Sequence, residues 1–301
     1  MAVLITGASG YIGHHLTKRL VEDGITVTTV LRPSSQTDRL CGLGDGVRIY
    51  VDDGTSDGLA AAFDSGLIET VFHLAAHRPG GGDEDRDATL EANINFSTRL
   101  WHAARQNNCK AFVNTGSYWQ FNATGNPVPN SFYAETKQTF QDFLDSRSSD
   151  GGPATASLIL FDVYGPGDWR GGLTAAFGRA AQGEPVDMSG GKQVLNMVHV
   201  SDVVDGFLNA ATLLKRGDIG PAHRAYFLGS EHPAALKDIA AVFEAACGRP
   251  LALNWGALDY RPNQIFQPCP ADPMLPEWKP ARSLSAGFTE LAGELNLSNT
   301  V

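Results

Sequence analysis

Through the first half of the chain, short runs rich in Val, Ile, Thr and Phe recur between longer stretches whose apolar residues return every three or four positions. The runs at 3–6, 26–31, 47–51, 70–74, 111–115 and 157–161 predict strands. The stretches at 14–22, 88–106 and 134–146 predict amphipathic helices, each with one face to bury. Strand and helix in alternation predict an α/β fold, a doubly wound parallel sheet with helices on both faces. The stretch from Arg32 to Gly46 carries turn-forming residues and reads as a loop.

After Asp162 the pattern changes. Residues 165–172 are Gly-rich, Gly190-Gly191 marks a turn, 198–200 reads as a strand and 203–214 as a helix, and from Pro221 onward helices and Pro-rich loops dominate. Residues 260–280 hold six prolines, which suits an irregular wall over a ligand better than regular structure. No internal repeat or low-complexity linker separates the parts, so the C-terminal region is expected to pack against the sheet.

Composition narrows the class of function. With 43% hydrophobic and 19% charged residues the chain is globular, and a net charge of −10 without a basic stripe argues against nucleic acid or an anionic membrane as partner. The first residues lack a basic segment, and no run of about eighteen apolar residues occurs, so neither a signal peptide nor a membrane span is expected. Cys41, Cys109, Cys247 and Cys269 lie far apart and away from histidines at ligand spacing; the reading is a reduced, cytoplasmic protein without a metal site.

The first strand runs straight into Thr6-Gly7-Ala8-Ser9-Gly10-Tyr11-Ile12-Gly13 and then into a helix. Gly7 permits a tight turn, Gly10 lets backbone approach a pyrophosphate, and Gly13 lets the helix pack on the strand. The helix N-terminus offers N–H groups and a positive dipole to phosphates. The GxxGxxG spacing resembles that of the short-chain dehydrogenase/reductase superfamily, extended type, and the likeness runs over nearly the whole chain. It implies a Rossmann-fold NAD(P)-binding domain at 1–165, completed by about 194–216. Residues 166–193 and 217–301 then form a smaller α/β C-terminal substrate-binding region.

The resemblance also implies cofactor contacts, from Gly7, Ser9, Gly10, Tyr11, Ile12 and Gly13 in the fingerprint. His73-Leu74-Ala75-Ala76 is similar to the superfamily's HLAA signature, in which Leu74, Ala75 and Ala76 let the cofactor pass close by and His73 is a packed structural residue. Asp52 and Asp53 follow the third strand, where the superfamily keeps an adenine-contacting acid, and Asp53 is the better aligned. NAD-selective members carry an acid at the end of the second strand, about 20 residues past the glycines, to read the ribose hydroxyls. Here Arg32 stands at that place, with Ser35 close behind. A guanidinium cannot accept those hydrogen bonds but pairs well with a 2′-phosphate, so NADP, as NADPH, is the expected cofactor.

Tyr133-Ala134-Glu135-Thr136-Lys137 matches the YxxxK motif. Residues four apart on a helix share a face, so the Lys137 ammonium is expected beside the Tyr133 phenol, lowering its pKa into a useful range. Ser117, at the end of the fifth strand, occupies the superfamily's position for a Ser or Thr that orients the substrate oxygen; Thr115 is the nearby competitor. Asn93 matches the asparagine that supports the lysine through water.

Phe161-Asp162-Val163-Tyr164-Gly165-Pro166-Gly167 resembles the FNVYGPG segment of members that act on nucleotide sugars, and 193–204 resembles their QTRDFVHVDDVA segment. That places the chain in the NAD(P)-dependent epimerase/dehydratase branch. Three family residues are replaced: an Asn by Asp162, and two Arg by Leu195 and Ile159. A nucleotide diphosphate still needs cations, and Arg170, Arg261 and Lys192 are available, Arg261 foremost because Tyr260-Arg261-Pro262 sits where related enzymes grip the diphosphate. His199 and Asp202 are read as structural. Tyr118 and Trp119 stand where 4,6-dehydratases carry an Asp-Glu pair, so dehydration is disfavoured.

The expectation is therefore NADPH-dependent reduction of the 4-keto group of a nucleotide-activated deoxysugar, as in 4-reductases of the abequose/paratose synthase kind, with Tyr118 and Thr115 among the substrate contacts. A nucleotide-sugar epimerase and a non-catalytic NADP-sensing protein are the alternatives. A homodimer is expected through the helices at 90–105 and 134–143, where Phe96, Leu100, Phe140 and Phe143 could face either the sheet or a partner.

Overall fold

The computed structural model describes residues 2–64, 67–78, 83–220 and 222–297. Strand β1 (Ala2–Thr6) leads into helix α1 (Tyr11–Glu22), β2 (Thr26–Leu31), a single turn α2 (Asp38–Cys41), β3 (Val47–Val51), α3 (Ser56–Ala61) and β4 (Ile68–His73). Helices α4 (Asp83–Leu90) and α5 (Phe96–Gln106) are joined by a π-helical turn at Glu91–Asn95. β5 (Ala111–Ser117), α6 (Phe132–Ser146) and β6 (Ala154–Leu160) follow. Then come β7 (Asp162–Tyr164), α7 (Leu173–Ala181), β8 (Val186–Met188), β9 (Val194–Leu195), β10 (Met197–His199), α8 (Val200–Arg216), β11 (Arg224–Leu228), β12 (Ala234–Ala235), α9 (Leu236–Cys247), β13 (Leu253–Trp255) and α10 (Leu284–Glu294).

Seven strands form one parallel sheet in the order β11-β6-β5-β4-β1-β2-β3. Alternation sends successive side chains to opposite faces, and both faces are covered. On one, Ile5, Phe72 and Val113 pack against Leu16 and Leu20 of α1 and Phe207 and Ala210 of α8. On the other, Leu4, Val71 and Phe112 pack against Leu100 and Trp101 of α5 and Phe140 and Leu144 of α6. A separate core, built from Tyr164, Phe177, Leu236, Phe243 and Phe288, lies under the C-terminal helices. Strand order reverses at β1, flanked by β2 and β4, and such a switch point opens a crevice at the strands' C-terminal ends.

Several expectations are corrected. The seventh strand, β11, comes from Arg224–Leu228, a stretch read as helices and loops; its short apolar run carries no period that separates strand from helix, and only pairing with β6 decides. The sixth strand begins at Ala154 rather than 157, because small residues there still pair with β5 and β11. The expected loop after β2 contains the turn α2, anchored by buried Leu40. The helix expected at 88–106 begins at Asp83 and carries the π turn. Of the four apolar residues considered for a partner face, Leu100 and Phe140 are buried in the core, and Phe96 and Phe143 are partly buried against that same cluster. All four cysteines are free, no metal-holding cluster occurs among the described residues, and no helix among them is long and apolar enough to cross a membrane.

Phe207 holds α8 to the sheet; it is fully buried and meets Phe72 edge-on with ring centroids 6.3 Å apart. Phe207→Ala is expected to cost about 3–5 kcal/mol, read as a lower denaturant midpoint at unchanged slope. An unchanged midpoint would contradict this packing.

Candidate active site

The glycine turn after β1 is fixed by steric contact. Gly7 has φ +74°, and a Cβ on it would lie 2.6 Å from the backbone nitrogen of Ala75. Gly13 has no room for a Cβ beside the carbonyl of Gly7. Gly10 caps α1 without a side-chain cap, leaving the first-turn N–H groups of a 12-residue helix available for an anion. In front of them lies a groove of about 350 Å³ lined by Gly7, Ser9, Gly10, Arg32, Ser35, Asp52, Leu74, Ala75 and Ala76, with Phe96 among its apolar residues. These residues fit a dinucleotide: close backbone approach, an uncapped helix start, and a cation at the end of β2.

Some candidates do not reach that groove. Asp53 turns away, its carboxylate accepting from the Thr55 amide at 2.8 Å and the Thr55 hydroxyl at 2.7 Å, so Asp52 is the acid at the groove. Arg99 lies 3.2 Å from the Asp52 carboxylate. Among the described residues Arg32 has no ion pair, which leaves its charge uncompensated. Tyr11 lies buried beneath Arg170, with the guanidinium carbon 4.4 Å from the ring centroid, and donates to the Pro166 carbonyl at 3.2 Å. It ties α1 to the Gly-rich loop rather than lining the groove. Ile12 lines the neighbouring cavity, and Gly13 packs against Gly7.

That neighbouring cavity, about 570 Å³, shares Leu74 and Ala76 with the groove and brings together Thr115, Ser117, Tyr118, Tyr133, Lys137, Arg170 and Arg261. Ser131 starts α6 by accepting from the Ala134 amide at 3.3 Å, which sets Tyr133 in the first turn and Lys137 one turn on. Ser117 ends β5. Its amide donates to the side chain of Gln120 at 2.8 Å and its Oγ accepts from the Trp119 amide at 3.3 Å, so a capping box holds the hydroxyl at the cavity wall. Thr115 donates its hydroxyl to the His73 carbonyl at 2.9 Å, which leaves Ser117 as the freer group.

Asn93, within the π turn, acts through α6. Its amide donates to the Thr136 hydroxyl and the His77 carbonyl, each at 2.9 Å, and its oxygen accepts from the His77 amide at 2.7 Å. It therefore fixes the residue before Lys137 and the chain after β4. His73 is structural: its ring nitrogens contact the Thr6 and Ser97 hydroxyls at 2.7 and 2.8 Å, and burial holds its pKa well below the ordinary value. His199 and Asp202 are likewise structural, the imidazole accepting from the Ser201 amide at the start of α8 and the carboxylate from the Arg282 amide at 3.1 Å.

Electrostatics correct the expected tuning. Burial pushes the Tyr133 phenol up to about 12, and the charge acting against that rise is Arg78 rather than Lys137. Burial brings the Lys137 ammonium down to about 8. Desolvation outweighs attraction here because both groups sit away from water, and the favoured Tyr133 is the protonated phenol, a proton donor.

Arg170 is also corrected. Asp168 accepts from its Nε and Nη2 at 2.7 Å each, and the Val163 carbonyl accepts from Nη2 at 2.8 Å, so its charge is compensated within its own loop. Among the described residues no carboxylate pairs with Arg261. Sequence reasoning missed Arg78, which stacks over Trp119 at 4.5 Å; a charged residue just past β4, at the open end of the sheet, was the available signal.

Comparison with known proteins agrees with this geometry. Residues 3–227 match the NAD dependent epimerase/dehydratase family. The chain belongs to that family. It is therefore an NAD(P)-dependent enzyme of Rossmann architecture. This family member is 27% identical over 274 residues to a CDP-abequose synthase of Yersinia pseudotuberculosis, covering 89% of this chain and 92% of that one. It is 29% identical over 266 residues to a 3-beta-hydroxysteroid dehydrogenase of Mycolicibacterium neoaurum, covering 83% and 71%. Its fold is that of a Thermus thermophilus UDP-glucose 4-epimerase solved with NAD, with a TM-score of 0.83 at 22% identity over 100% of both chains.

The Lys137 pKa carries a stability prediction for this family member. The folded value near 8 lies below the ordinary 10.5, so above about 8 the unfolded chain holds more protons and stability rises with pH. Above 10 the raised Tyr133 pKa reverses the trend, since the unfolded phenol ionises first. Lys137→Met is expected to raise the stability of the cofactor-free protein at neutral pH by on the order of 3 kcal/mol while abolishing turnover. The gap should narrow as pH rises from about 8 to 10, followed by denaturant melts; a destabilised variant would contradict the assignment.

Proposed function

We propose that this enzyme uses NADPH to reduce the 4-keto group of a nucleotide-activated deoxysugar. The observation that carries the reading is the single cavity in which Ser117, Tyr133 and Lys137 face the uncompensated guanidinium of Arg261. Proton chemistry and an anion grip thus share one space. The similarity to a CDP-abequose synthase supports the same reading.

When bound in the groove, a reduced nicotinamide supplies the hydride that a ketone needs. Ser117 Oγ, held by its capping box, donates to the carbonyl oxygen and stabilises the negative charge that develops there. Tyr133, kept protonated by burial, delivers its proton to that oxygen, completing the alcohol; solvent then reprotonates the phenolate. Arg78 is the cation that favours the phenolate as it forms, while Lys137, one turn on in the same cavity, would hydrogen-bond the nicotinamide ribose. Arg261 clamps the diphosphate, with Arg78, among the described residues, a further unpaired guanidinium in the cavity. The polar lining from Arg78, Asp162 and Arg261 suits a nucleotide sugar better than an apolar steroid.

NADPH is favoured by Arg32 and Ser35 at the end of the groove that takes the adenosine ribose. A redox-neutral NAD-using epimerase is the second reading, favoured by Asp52 in the same groove, although Arg99 compensates that carboxylate.

Fluorescence titration is expected to give tighter binding of NADPH than NADH, and Arg32→Asp is expected to reverse the order. A wild-type preference for NADH moves the epimerase to first place. Tyr133→Phe keeps the ring and removes the donor, so cofactor affinity should survive and turnover should fall by about two orders of magnitude or more. Wild-type turnover in that variant contradicts the mechanism.

A further inference from the structure

The buried groups the mechanism leaves unused include one that faces the reacting centre. Ser117 stands in register with Leu160 on β6, and Asp162 follows two residues later, on the same cavity wall. Asp162 Oδ2 is buried and has no hydrogen-bond partner. Oδ1 accepts from the Tyr118 hydroxyl at a long 3.5 Å, and the Asn196 backbone also favours the ionised carboxylate. Arg170 and Arg78 attract its charge without hydrogen-bonding it: Arg170 is paired with Asp168, and Arg78 stacks over Trp119. Tyr118 is itself fixed, stacked on Phe161 with centroids 5.2 Å apart, so it cannot swing round to satisfy the second oxygen. Burial raises the acid to about 6, with hydrogen bonding from the Asn196 backbone and the Tyr118 hydroxyl acting against the rise, so at neutral pH it is mainly a carboxylate whose Oδ2 lacks a donor. A buried charge in that state is costly, and a ligand that brings a donor relieves the cost.

We propose that Asp162 is a specificity-determining residue: its free oxygen accepts a hydrogen bond from a hydroxyl or ammonium group on the sugar of the substrate, and it excludes sugars that bear a carboxylate. The inference rests on the nucleotide-sugar reading above and deepens it. The chemistry of the exchange supports it, because the asparagine usual at this position both donates and accepts, so it takes either kind of group, whereas a carboxylate only accepts. The substrate class is thereby narrowed to neutral or amino sugars.

Calorimetry with wild type, Asp162→Asn and Asp162→Leu tests this, using CDP, UDP and dTDP, then the glucose, glucosamine and glucuronic acid esters of whichever nucleotide binds. Wild type should bind the glucose or glucosamine ester at least about tenfold more tightly than the glucuronic acid ester, the tighter of the two naming the donor. Asp162→Leu should lose about tenfold for the favoured sugar nucleotide and leave the free nucleotide within about twofold, and Asp162→Asn should regain affinity for the glucuronic acid ester. Equal shifts for all ligands, or none, overturn the proposal while leaving the nucleotide-sugar reading intact; failure of every free nucleotide to bind overturns that reading and the proposal with it.

A measurement on wild type alone guards against variants that fail to fold. The sugar preference should collapse as pH falls through about 6, where Asp162 takes up a proton and becomes a donor. The groups facing it are Tyr118 from the turn after β5, the Asn196 backbone just before β10, Arg78 beyond β4 and Arg170 with its partner Asp168 from the Gly-rich loop; neither the phenol nor the guanidinium groups change charge near that pH. A preference constant across that range overturns the proposal.

Discussion

The close backbone approach in the crevice, Gly7 against Leu74 and Ala75, is the constraint on which the rest of the site depends. It pins the turn after β1 to the end of β4 at the switch point of the sheet, and any side chain on Gly7 would separate them. Because Leu74 and Ala76 line both, the same contact makes the groove and the larger cavity neighbours. The Thr6 hydroxyl reinforces the junction, accepting from the Ala75 amide at 3.2 Å and contacting His73. Chemistry at the end of β5 is thereby brought within reach of whatever the groove holds.

Desolvation is the second organising force. It keeps Tyr133 protonated, makes Lys137 reluctant to carry charge and raises the Asp162 carboxyl to about 6 with its Oδ2 unpartnered. Each state is costly for the folded protein alone and useful once a polar ligand enters, the pattern expected where function competes with stability. The chain's net charge of −10 makes this sharper, since an anionic ligand is repelled at long range and must be held by local cations; among the described residues Arg261, Arg78 and Lys137 line the cavity without a carboxylate partner.

Much of this is legible in the sequence because the residues concerned are neighbours along the chain. The glycine fingerprint spans one turn, Tyr133 and Lys137 lie four apart on one helix, and Ser117 ends a strand that its own composition predicts. What is illegible depends on contacts between distant segments or on which of two groups wins. β11 exists because β6 offers an edge, and Asp53 loses to Asp52 because Thr55 captures it. Arg170 reads as an anion grip from its type and place alone, and only its pairing with Asp168, two residues away, removes it from that role. The sign of the Tyr133 shift escapes the motif because burial, which spacing does not encode, outweighs a nearby cation.

On the proposed function, proton donor, orienting serine and anion grip act together in a net reduction. The most direct measurement is stoichiometry: supply NADPH and a nucleotide-linked 4-keto sugar, then count cofactor oxidised against alcohol formed. One equivalent of NADPH consumed for each alcohol, with the unactivated keto sugar a far poorer substrate, is the predicted result. Interconversion of epimers without net oxidation of cofactor, or equal reduction of a ketone lacking the nucleotide, would contradict it.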